Sequence, residues 1–263
     1  MITIVAVADT HLYHDDLRIP DGDILVHAGD LTRDGSLAEL ADALEFLRPL
    51  PHPHKLVVAG NHERCLEDEP AAARALLRGF DYLQDSGVVR CGLRFWGSPW
   101  QPTYGDWAFQ LERGAPLAAK WAQIPEGTDV LITHGPPRGF GDSVGAWTGN
   151  EAVARARAGC ADLLARVREV RPLVHVYGHI HQGRGRWRDG STLLVNATCD
   201  ECFAPPTVLR VDPAARSVVV LDDAHRIADP AVFEFLGLVL ERLPQHWGLV
   251  IASRVEPPLP LAR

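Results

Sequence analysis

Five short motifs carry the residues of this sequence that are best suited to chemistry. In chain order they are Asp9-Thr10-His11, Gly29-Asp30, Gly60-Asn61-His62-Glu63, Thr133-His134-Gly135 and Gly178-His179-Ile180-His181. Every motif directly follows a segment that is predicted to be a buried strand. In α/β proteins, ligand sites form in the loops beyond the carboxyl ends of the strands. The five motifs are therefore expected to bring their side chains to one edge of the sheet.

Together the motifs supply two carboxylates, one amide oxygen and four imidazoles, a set that suits divalent metal ions. The candidate ligands are Asp9, His11, Asp30, Asn61, His134, His179 and His181. Mixed nitrogen and oxygen ligands without a thiolate favour Mn, Fe, Zn, Ni or Co over Ca. The set is too large for one ion but suits two ions that share a carboxylate. Two ions about 3.5–4 Å apart can clamp the oxygens of a transferring phosphoryl group.

Each motif by itself also has an ordinary structural explanation. Asp-x-His and Gly-Asp are common in turns, and Thr-His-Gly is more often a loop than a ligand. The Gly178–His181 motif is harder to explain by packing, because two histidines stand two residues apart behind a glycine. It is the occurrence of the whole set, in this order, that favours a metal site. His27 and His175 lie inside predicted strands and are expected to be packed histidines, not ligands.

Short apolar strands alternate with amphipathic helices along the chain, which is typical of the α/β class. Buried strands are predicted at Ile2–Ala8, Ile24–His27, Lys55–Ala59, Asp129–Thr133, Leu173–Tyr177 and Leu193–Asn196. Helices are predicted behind a capping box formed by Ser36 and Glu39, over Pro70–Leu77 and over Glu151–Val170. Asp189-Gly190 predicts a tight hairpin turn.

The end of the chain departs from this alternation, which predicts a domain over residues 1–221 and an extension over 222–263. Asp229-Pro230 predicts the start of a helix. The segment that follows, Ala231–Leu243, is apolar on most sides. A helix of this kind is buried, so we expect it to pack on the domain or to form a homodimer interface.

Composition limits the classes of function that are open to the chain. It has 263 residues, 46% of them hydrophobic and 23% charged, which predicts a soluble globular protein with a substantial core. A net charge of -8 argues against nonspecific nucleic-acid binding, which needs clustered Lys and Arg. No apolar stretch is long enough to span a membrane, and Met1–Asp9 lacks the features of a signal peptide. The odd number of cysteines fits reduced thiols, and so a cytoplasmic location.

The order of the five motifs resembles the calcineurin-like metallophosphoesterase superfamily, from Ile4 to about Asn196. Further segments resemble its subgroup of animal metallophosphoesterase domain-containing proteins: Gly97-Ser98-Pro99-Trp100, Ile124-Pro125-Glu126, Thr133-His134-Gly135-Pro136-Pro137-Arg138-Gly139-Phe140 and Asn196-Ala197-Thr198. Animal members of that subgroup can lack the first histidine of the Gly-His-x-His motif. His179 is present here, which favours a complete second metal site.

This resemblance implies a fold, a pair of metal ions and roles for the motif residues. The fold is a four-layer αββα sandwich of two mixed β-sheets flanked by helices. The implied ligands of the first ion are Asp9, His11 and His181; those of the second are Asn61, His134 and His179; Asp30 bridges both. His62 and the bridging Asp30 would be catalytic; His62 would face the substrate phosphate, and Glu63 would orient it. Mn²⁺ is the expected metal, with Fe, Zn, Ni, Co or Mg as alternatives.

The expected activity is hydrolysis of a small phosphodiester, such as a cyclic nucleotide, by a hydroxide held between the two ions. The alternatives are a phosphomonoesterase for nucleotides or phosphoproteins and a nucleotide-binding scaffold with little turnover. His14, Trp100 and Arg138 lie in loops near the motifs and are expected to contact the substrate. Trp107 and Trp147 are further aromatic candidates. Loop packing explains Trp100 and Trp107 equally well.

Overall fold

A computed structural model describes residues 1–144 and 157–221 of the chain. The strands of this part are β1 (Ile2–Val7), β2 (Ile24–Ala28), β3 (His54–Val58), β4 (Asp81–Tyr82), β5 (Ser86–Arg90), β6 (Leu93–Ser98), β7 (Gln101–Pro102), β8 (Gln110–Leu111), β9 (Val130–Thr133), β10 (Val174–Tyr177), β11 (Gly185–Asp189), β12 (Thr192–Asn196), β13 (Thr207–Asp212) and β14 (Ser217–Leu221). Its α-helices are α1 (Leu37–Leu47), α2 (Arg64–Asp68), α3 (Pro70–Leu76), α4 (Ala115–Trp121) and α5 (Ala161–Val170). The expected extension and dimer helix over residues 222–263 lie outside the described residues and stay predictions.

Most strands belong to two mixed six-stranded sheets. The first has the order β14-β13-β1-β2-β3-β4, and the second has the order β11-β12-β10-β9-β6-β5. Strands β1, β2 and β3 run parallel in the first sheet, as do β9, β10 and β12 in the second. Antiparallel pairs close the edges, such as β13 on β14 and β11 on β12. The short β7 and β8 pair with each other, apart from both sheets.

Three apolar cores separate the layers, because residues that alternate along a strand face opposite sides of its sheet. Ile4 and Val26 of the first sheet and Val176 of the second belong to the core between the sheets. Val5 and the other outward-facing residues of the first sheet pack against α1, α2 and α3. Leu131 and its outward-facing neighbours in the second sheet pack against α4 and α5. The expected αββα sandwich of two mixed sheets is confirmed.

The predicted elements are found with small changes in their limits. All six predicted strands are present, and Ser36 and Glu39 form the expected capping box at the start of α1. The hairpin between β11 and β12 is confirmed, although its two turn residues are Gly190 and Ser191. The predicted helix Glu151–Val170 starts later than expected, because Cys160 is the N-cap of α5 and its sulfur accepts a hydrogen bond from Leu163 N. The part of that prediction over residues 151–156 lies outside the described residues.

The two sheets approach each other closely at the ends of β1 and β10. A Cβ atom on Gly178 would lie 2.5 Å from the Ala8 Cβ and 2.5 Å from Asp9 Oδ2, so only glycine fits between them. Ala8 also forms a bridge with Thr198, next to the end of β12. The carboxyl ends of the parallel strands of both sheets therefore meet in one place. None of the helices among the described residues combines the length and the apolarity needed to cross a membrane.

His175 is a fully buried histidine in the middle of β10. Its Nε2 lies 2.8 Å from Thr133 Oγ1, and the Thr133 hydroxyl donates to the Gly135 carbonyl. The ring therefore donates its Nε2–H to the hydroxyl, which leaves Nδ1 buried without a hydrogen-bond partner. Burial lowers the pKa of His175 to about 3. His175 is therefore a packed histidine, as expected. Through Thr133 it supports the end of β9, directly before His134.

We predict that His175 makes the fold sensitive to acid. Its pKa is lower in the folded chain than in the unfolded chain, so its contribution to stability is complete above about pH 6.5 and is lost as the pH falls toward 3. The loss is about 1.4 kcal/mol per pH unit, or about 2 kcal/mol at pH 5. Urea unfolding of metal-stripped protein at pH 7 and pH 5 measures this effect. His175→Gln should lose less stability between the two pH values than the wild type, and equal losses would contradict the prediction.

Candidate metal centre

All of the predicted ligands come together at the point where the two sheets meet. The loops after β1, β2 and β3 of the first sheet and after β9 and β10 of the second supply them. Their ligand atoms, together with those of His62, form groups in which each atom lies within 4.8 Å of the others: Asp9 with His11 and His181; His11 with Asp30 and His62; and Asp30 with His134 and His179. The first group contains the three ligands that the resemblance implies for one ion, and the third contains His134 and His179 of the other together with the bridging Asp30.

Several of these residues adopt a left-handed backbone conformation that is uncommon for residues other than glycine. The φ angles are 57° for Asp9, 45° for His11, 58° for Asp30 and 72° for His179. Non-glycine residues in this region store strain of about 1–3 kcal/mol each and are concentrated at functional sites. The loops after β2 and β3 are also packed closely against each other, since a Cβ on Gly60 would lie 2.2 Å from Asp30 Oδ1. The sheets thus hold the ligands in conformations that a free loop would rarely adopt.

Three of the histidines are fixed in orientation by an oxygen atom outside the cluster. In each case the ring Nδ1 lies at hydrogen-bond distance from this acceptor: His11 from the Thr32 carbonyl at 3.0 Å, His134 from the Ala28 carbonyl at 2.9 Å, and His181 from Asp200 Oδ1 at 3.1 Å. A neutral ring that donates its Nδ1–H keeps the lone pair on Nε2. Such outer contacts are usual for metal-binding histidines, because they set the tautomer.

The surroundings of His134 Nε2 fit a metal ion. This atom lies 3.0 Å from Asn61 Oδ1, 3.2 Å from His179 Nδ1 and 3.2 Å from Asp30 Oδ2. With the Nδ1 proton donated to the Ala28 carbonyl, a neutral His134 would direct a lone pair at other acceptor atoms. A proton or a metal ion in the middle removes this repulsion. The donor set of nitrogen and oxygen atoms, without sulfur, suits divalent transition metals.

Asp30 lies between two sets of candidate ligands, one around His134 and the other formed by Asp9, His11 and His181. Its Oδ2 is 3.2 Å from His134 Nε2 on one side and 3.8 Å from His11 Nε2 on the other. In the other group, His181 Nε2 lies 3.9 Å from Asp9 Oδ1. Both Asp9 oxygens also accept from the main-chain N–H of His179, at 2.9 and 3.0 Å. The arrangement accommodates two cations with Asp30 shared between them.

The charges of the site are strongly coupled. Burial alone would raise the pKa of Asp30, but the charge and the hydrogen bond of His134 outweigh it and hold that pKa well below its ordinary value. Burial dominates at Asp9 and raises its pKa. Burial would lower the pKa of His134, yet Asp30 raises it to about 9, whereas burial lowers the pKa of His179 to about 3. The raised pKa of His134 favours a proton on its ring, and a metal ion bound through Nε2 would have to displace that proton.

His62 lies beside the cluster with its side chain 21% exposed. Its Nδ1 is hydrogen bonded to the Arg33 carbonyl, and its Nε2 lies 4.0 Å from Asp30 Oδ2. The ring contacts two others: the His11 ring, in a T-shaped arrangement with 4.5 Å between centroids, and the Trp107 indole, with 4.4 Å between centroids. The imidazole is therefore positioned at the edge of the predicted metal site with Nε2 directed toward it.

Glu63 has a different role from the one expected. It is fully buried, and its carboxylate accepts from the main-chain N–H of Gly60 at 2.5 Å, of Asp30 at 2.9 Å and of Thr32 at 3.0 Å, as well as from the Thr32 hydroxyl at 2.9 Å. Glu63 thus fastens the loop after β2 to the loop after β3. The orienting contact of the His62 ring is the Arg33 carbonyl, so the expectation that Glu63 orients His62 is corrected.

An open cleft of about 770 Å³ lies over the cluster. Ligand residues and His62 form its floor, and its walls include Arg33, Tyr104, Trp107 and Arg113. The Tyr104 ring lies 5.2 Å from the His179 ring and edge-on to it. The five motifs do not point to Arg33, Tyr104 or Arg113, because the fold alone brings these residues to the cleft. Trp107, one of the aromatic candidates, does reach it.

The structure does not bring the three residues expected to contact substrate into the cleft. His14 is buried and stacked on Phe46 at 4.6 Å between ring centroids. The Trp100 indole N–H donates to Asp85 at 2.9 Å, in a packing role. Arg138 is exposed but does not line the cleft. These three residues are close to a motif in sequence, but they are not among the residues that line the cleft.

An αββα sandwich with an Asp, His and Asn cluster where its strand ends meet defines the class of metal-dependent phosphoesterases. Residues 2–183 match the sequence profile of the calcineurin-like phosphoesterase family, and the chain belongs to this family. Metallophosphoesterase domain-containing protein 1 of Homo sapiens and that of Mus musculus are each 43% identical to it over an alignment of 226 residues. Each match covers 76% of this chain and 67% of the relative. The resemblance inferred from the motifs is confirmed.

Solved structures share the fold at much lower identity. The phosphopantetheinyl hydrolase of Mycobacterium tuberculosis superposes with a TM-score of 0.51 and 16% identity, over 74% of this chain and 88% of that one. A protein of Thermus thermophilus superposes with a TM-score of 0.54 and 13% identity, over 83% of this chain and 97% of that one. At these identities the likeness concerns the fold alone.

We predict that Asp30→Ala abolishes metal binding at this centre. The substitution removes the carboxylate that faces both ligand groups and leaves His134 and His11 without their shared counter-charge. Elemental analysis of protein equilibrated with Mn²⁺ and then desalted measures bound metal per chain. Asp42→Ala, at an exposed position of α1, is the matched control and should keep the wild-type metal content. An unchanged metal content in folded Asp30→Ala would refute this assignment.

We predict that Glu63→Gln weakens both the fold and the metal centre. A carboxamide turns an NH₂ group toward main-chain N–H donors, so buried donors lose their acceptor, at a cost of about 2–3 kcal/mol in the free energy of unfolding. Metal affinity should fall about tenfold, as is typical when an outer contact of a metal site is lost. Urea unfolding and Mn²⁺ titration test both effects. Glu67→Gln, on the exposed face of α2, is the control, and equal behaviour of the two variants would count against the role of Glu63.

Proposed function

We propose that the protein is a dinuclear metal-dependent phosphodiesterase that acts on small substrates such as cyclic nucleotides, with Mn²⁺ as its metal. The observation that carries the proposal is the position of Asp30, whose Oδ2 faces His134 Nε2 at 3.2 Å and His11 Nε2 at 3.8 Å. A carboxylate shared by two nitrogen and oxygen ligand groups is what a two-metal phosphoesterase site requires. Membership of the calcineurin-like phosphoesterase family supports the same chemistry.

The ligand groups define where two cations would be held. Asp9, His11 and His181 would hold one ion, Asn61, His134 and His179 the other, and Asp30 both. When bound, divalent ions of this kind activate water and withdraw charge from phosphoryl oxygens. The left-handed backbone of the candidate ligands and the outer hydrogen bonds of His11, His134 and His181 would hold the ligand atoms in place for the ions.

His62 is the residue placed to handle the leaving group. Its Nδ1 is held by the Arg33 carbonyl, so its Nε2 is the atom directed toward Asp30 and the cleft. A phosphoryl group bound over Asp30 would lie within reach of this nitrogen. Because Nδ1–H is donated to the Arg33 carbonyl, His62 carries a proton on Nε2 only as the imidazolium. In that form it would donate a hydrogen bond to a phosphoryl oxygen and pass the Nε2 proton to the leaving oxygen.

The charges around the cleft favour a diester over a monoester. A diester carries one negative charge, whereas a monoester carries up to two and needs additional cations. The cleft wall has two arginines, but the Arg113 guanidinium is bonded to the carbonyls of Ala158 and Gly159, and Arg33 lies over the Tyr13 ring. Asp34 and Glu201 add negative charge to the lining. This balance suits a singly charged, small ester.

The proposal also includes the location of the protein in the cell, its partners and its oligomeric state. We place the protein in the cytoplasm, in keeping with five cysteines that are all free thiols. A small phosphoester is its proposed partner, and the acidic net charge of -8 disfavours nonspecific nucleic-acid binding. A homodimer through the 222–263 segment remains a proposal that rests on the apolar sequence of Ala231–Leu243.

We predict that His62→Ala lowers kcat by about 100-fold or more without loss of metal, because removing a hydrogen-bond donor to the charge that develops on the phosphoryl oxygens costs about this factor. Metal-stripped protein refilled with Mn²⁺ is assayed with bis(p-nitrophenyl) phosphate and with p-nitrophenyl phosphate. The wild type should hydrolyse the diester faster than the monoester. His54→Ala, which removes a histidine at the start of β3, is the control and should retain the activity.

Two outcomes would replace the proposal by one of its alternatives. Faster hydrolysis of the monoester would indicate a phosphomonoesterase that uses the same metal site. Absence of turnover with every metal tried, together with tight nucleotide binding, would indicate a nucleotide-binding scaffold. Loss of bound Mn²⁺ in His62→Ala would also show that this residue is a ligand rather than a proton donor.

A further inference from the structure

The loop between β7 and β8 forms one wall of the cleft and carries Trp107. The Trp107 indole lies against the His62 imidazole, with ring centroids 4.4 Å apart and planes tilted by 35°. The imidazole also contacts the His11 ring, with centroids 4.5 Å apart and planes at 75°. Trp107 is nevertheless 38% exposed, so it is not an ordinary core residue. It is one of the few large apolar side chains that the described residues leave open to solvent.

The backbone on both sides of Trp107 is fastened to the segment that carries His62. Before Trp107, the Arg64 guanidinium binds Asp106 through the carboxylate, at 3.0 Å, and through the carbonyl. After Trp107, Ala108 N–H donates to the Asn61 carbonyl at 3.0 Å. Asn61 and Arg64 flank His62 in sequence. Indole and imidazole are therefore carried by two segments that are tied together at both ends.

We propose that Trp107 is a positioning residue that holds the His62 ring in its reactive orientation, an inference that rests on the proposed function. The Arg33 carbonyl fixes one ring atom of His62, Nδ1, which still permits the ring to tilt about that contact. The contacts of the imidazole with Trp107 and with His11 restrict this tilt, so Nε2 stays directed toward Asp30 and the cleft. Misplacement of a reacting group by about 1 Å can cost about 100-fold in rate, so this restraint has a direct effect on kcat.

A direct contact between Trp107 and the substrate is the competing role, because an exposed indole can stack on a planar leaving group. The two roles differ in what they change. A positioning residue acts on kcat through His62 and leaves substrate binding alone. A substrate contact acts on KM and does not need His62.

The test is steady-state hydrolysis of bis(p-nitrophenyl) phosphate by Mn²⁺-loaded Trp107→Leu and Trp107→Phe, with bound metal measured in parallel. Trp107→Leu should lower kcat about tenfold and leave KM within about twofold and the metal content unchanged. Trp107→Phe should restore most of kcat, because a flat ring can still pack on the imidazole. Phe203→Leu removes an exposed aromatic side chain that does not line the cleft and should behave as the wild type.

The decisive step is the same substitution in a His62→Ala background. If Trp107 acts through His62, then Trp107→Leu should cause no further loss of kcat once His62 is absent. An equal loss in both backgrounds, or an effect confined to KM, would overturn the inference and indicate a substrate contact. Wild-type kcat in Trp107→Leu would overturn it too. Absence of turnover in the wild type would instead reject the proposed function, and the inference with it.

Discussion

The buried charge of Asp30 is the constraint on which the rest of the site depends. A carboxylate that is 3% exposed is costly unless charges or donors surround it. Here the main-chain N–H of His62 donates to its Oδ1 at 3.0 Å, and the ring nitrogens of His134 and His11 face its Oδ2. Directly behind Asp30 lies a second buried carboxylate, Glu63, which accepts from the Asp30 N–H. The two loops must therefore interlock, with no space for a side chain on Gly60.

This local requirement explains the arrangement of the sheets. Asp30 and Asn61 follow parallel strands of the first sheet, whereas His134 and His179 follow parallel strands of the second. Their side chains meet only if the carboxyl ends of both sets of strands converge, and the close approach at Gly178 provides that convergence. The layered core holds the sheets in this relation, so strain in the left-handed ligand residues is offset by packing throughout the sandwich.

The parts of the molecule that the sequence predicts well are those determined by local pattern. Apolar runs identify the buried strands, and the residue types behind them predict the candidate ligands that the fold brings together, since a strand end has a defined place in an α/β sheet. The role of Glu63 and the cleft position of Tyr104 were not predictable in this way. They depend on contacts between segments far apart in the chain, such as the bond from Arg64 to Asp106. For the same reason Trp100, close to a motif in sequence, packs on Asp85 instead of the cleft.

The candidate metal centre and the wall of the cleft therefore differ in how readily their residues can be substituted. Each ligand is fixed by a strand end, an outer hydrogen bond or a left-handed backbone, so a substitution there disturbs several neighbours at once. Tyr104 and Trp107 project from a loop that lies outside both six-stranded sheets and is held by Arg64, by Asn61 and by the burial of its own Ala108 and Phe109. Loops on a rigid scaffold are where proteins of one fold diverge in function. Relatives that share the fold would then differ in substrate choice through this loop, and under the role proposed for Trp107 a change in its contact with His62 would also alter the rate.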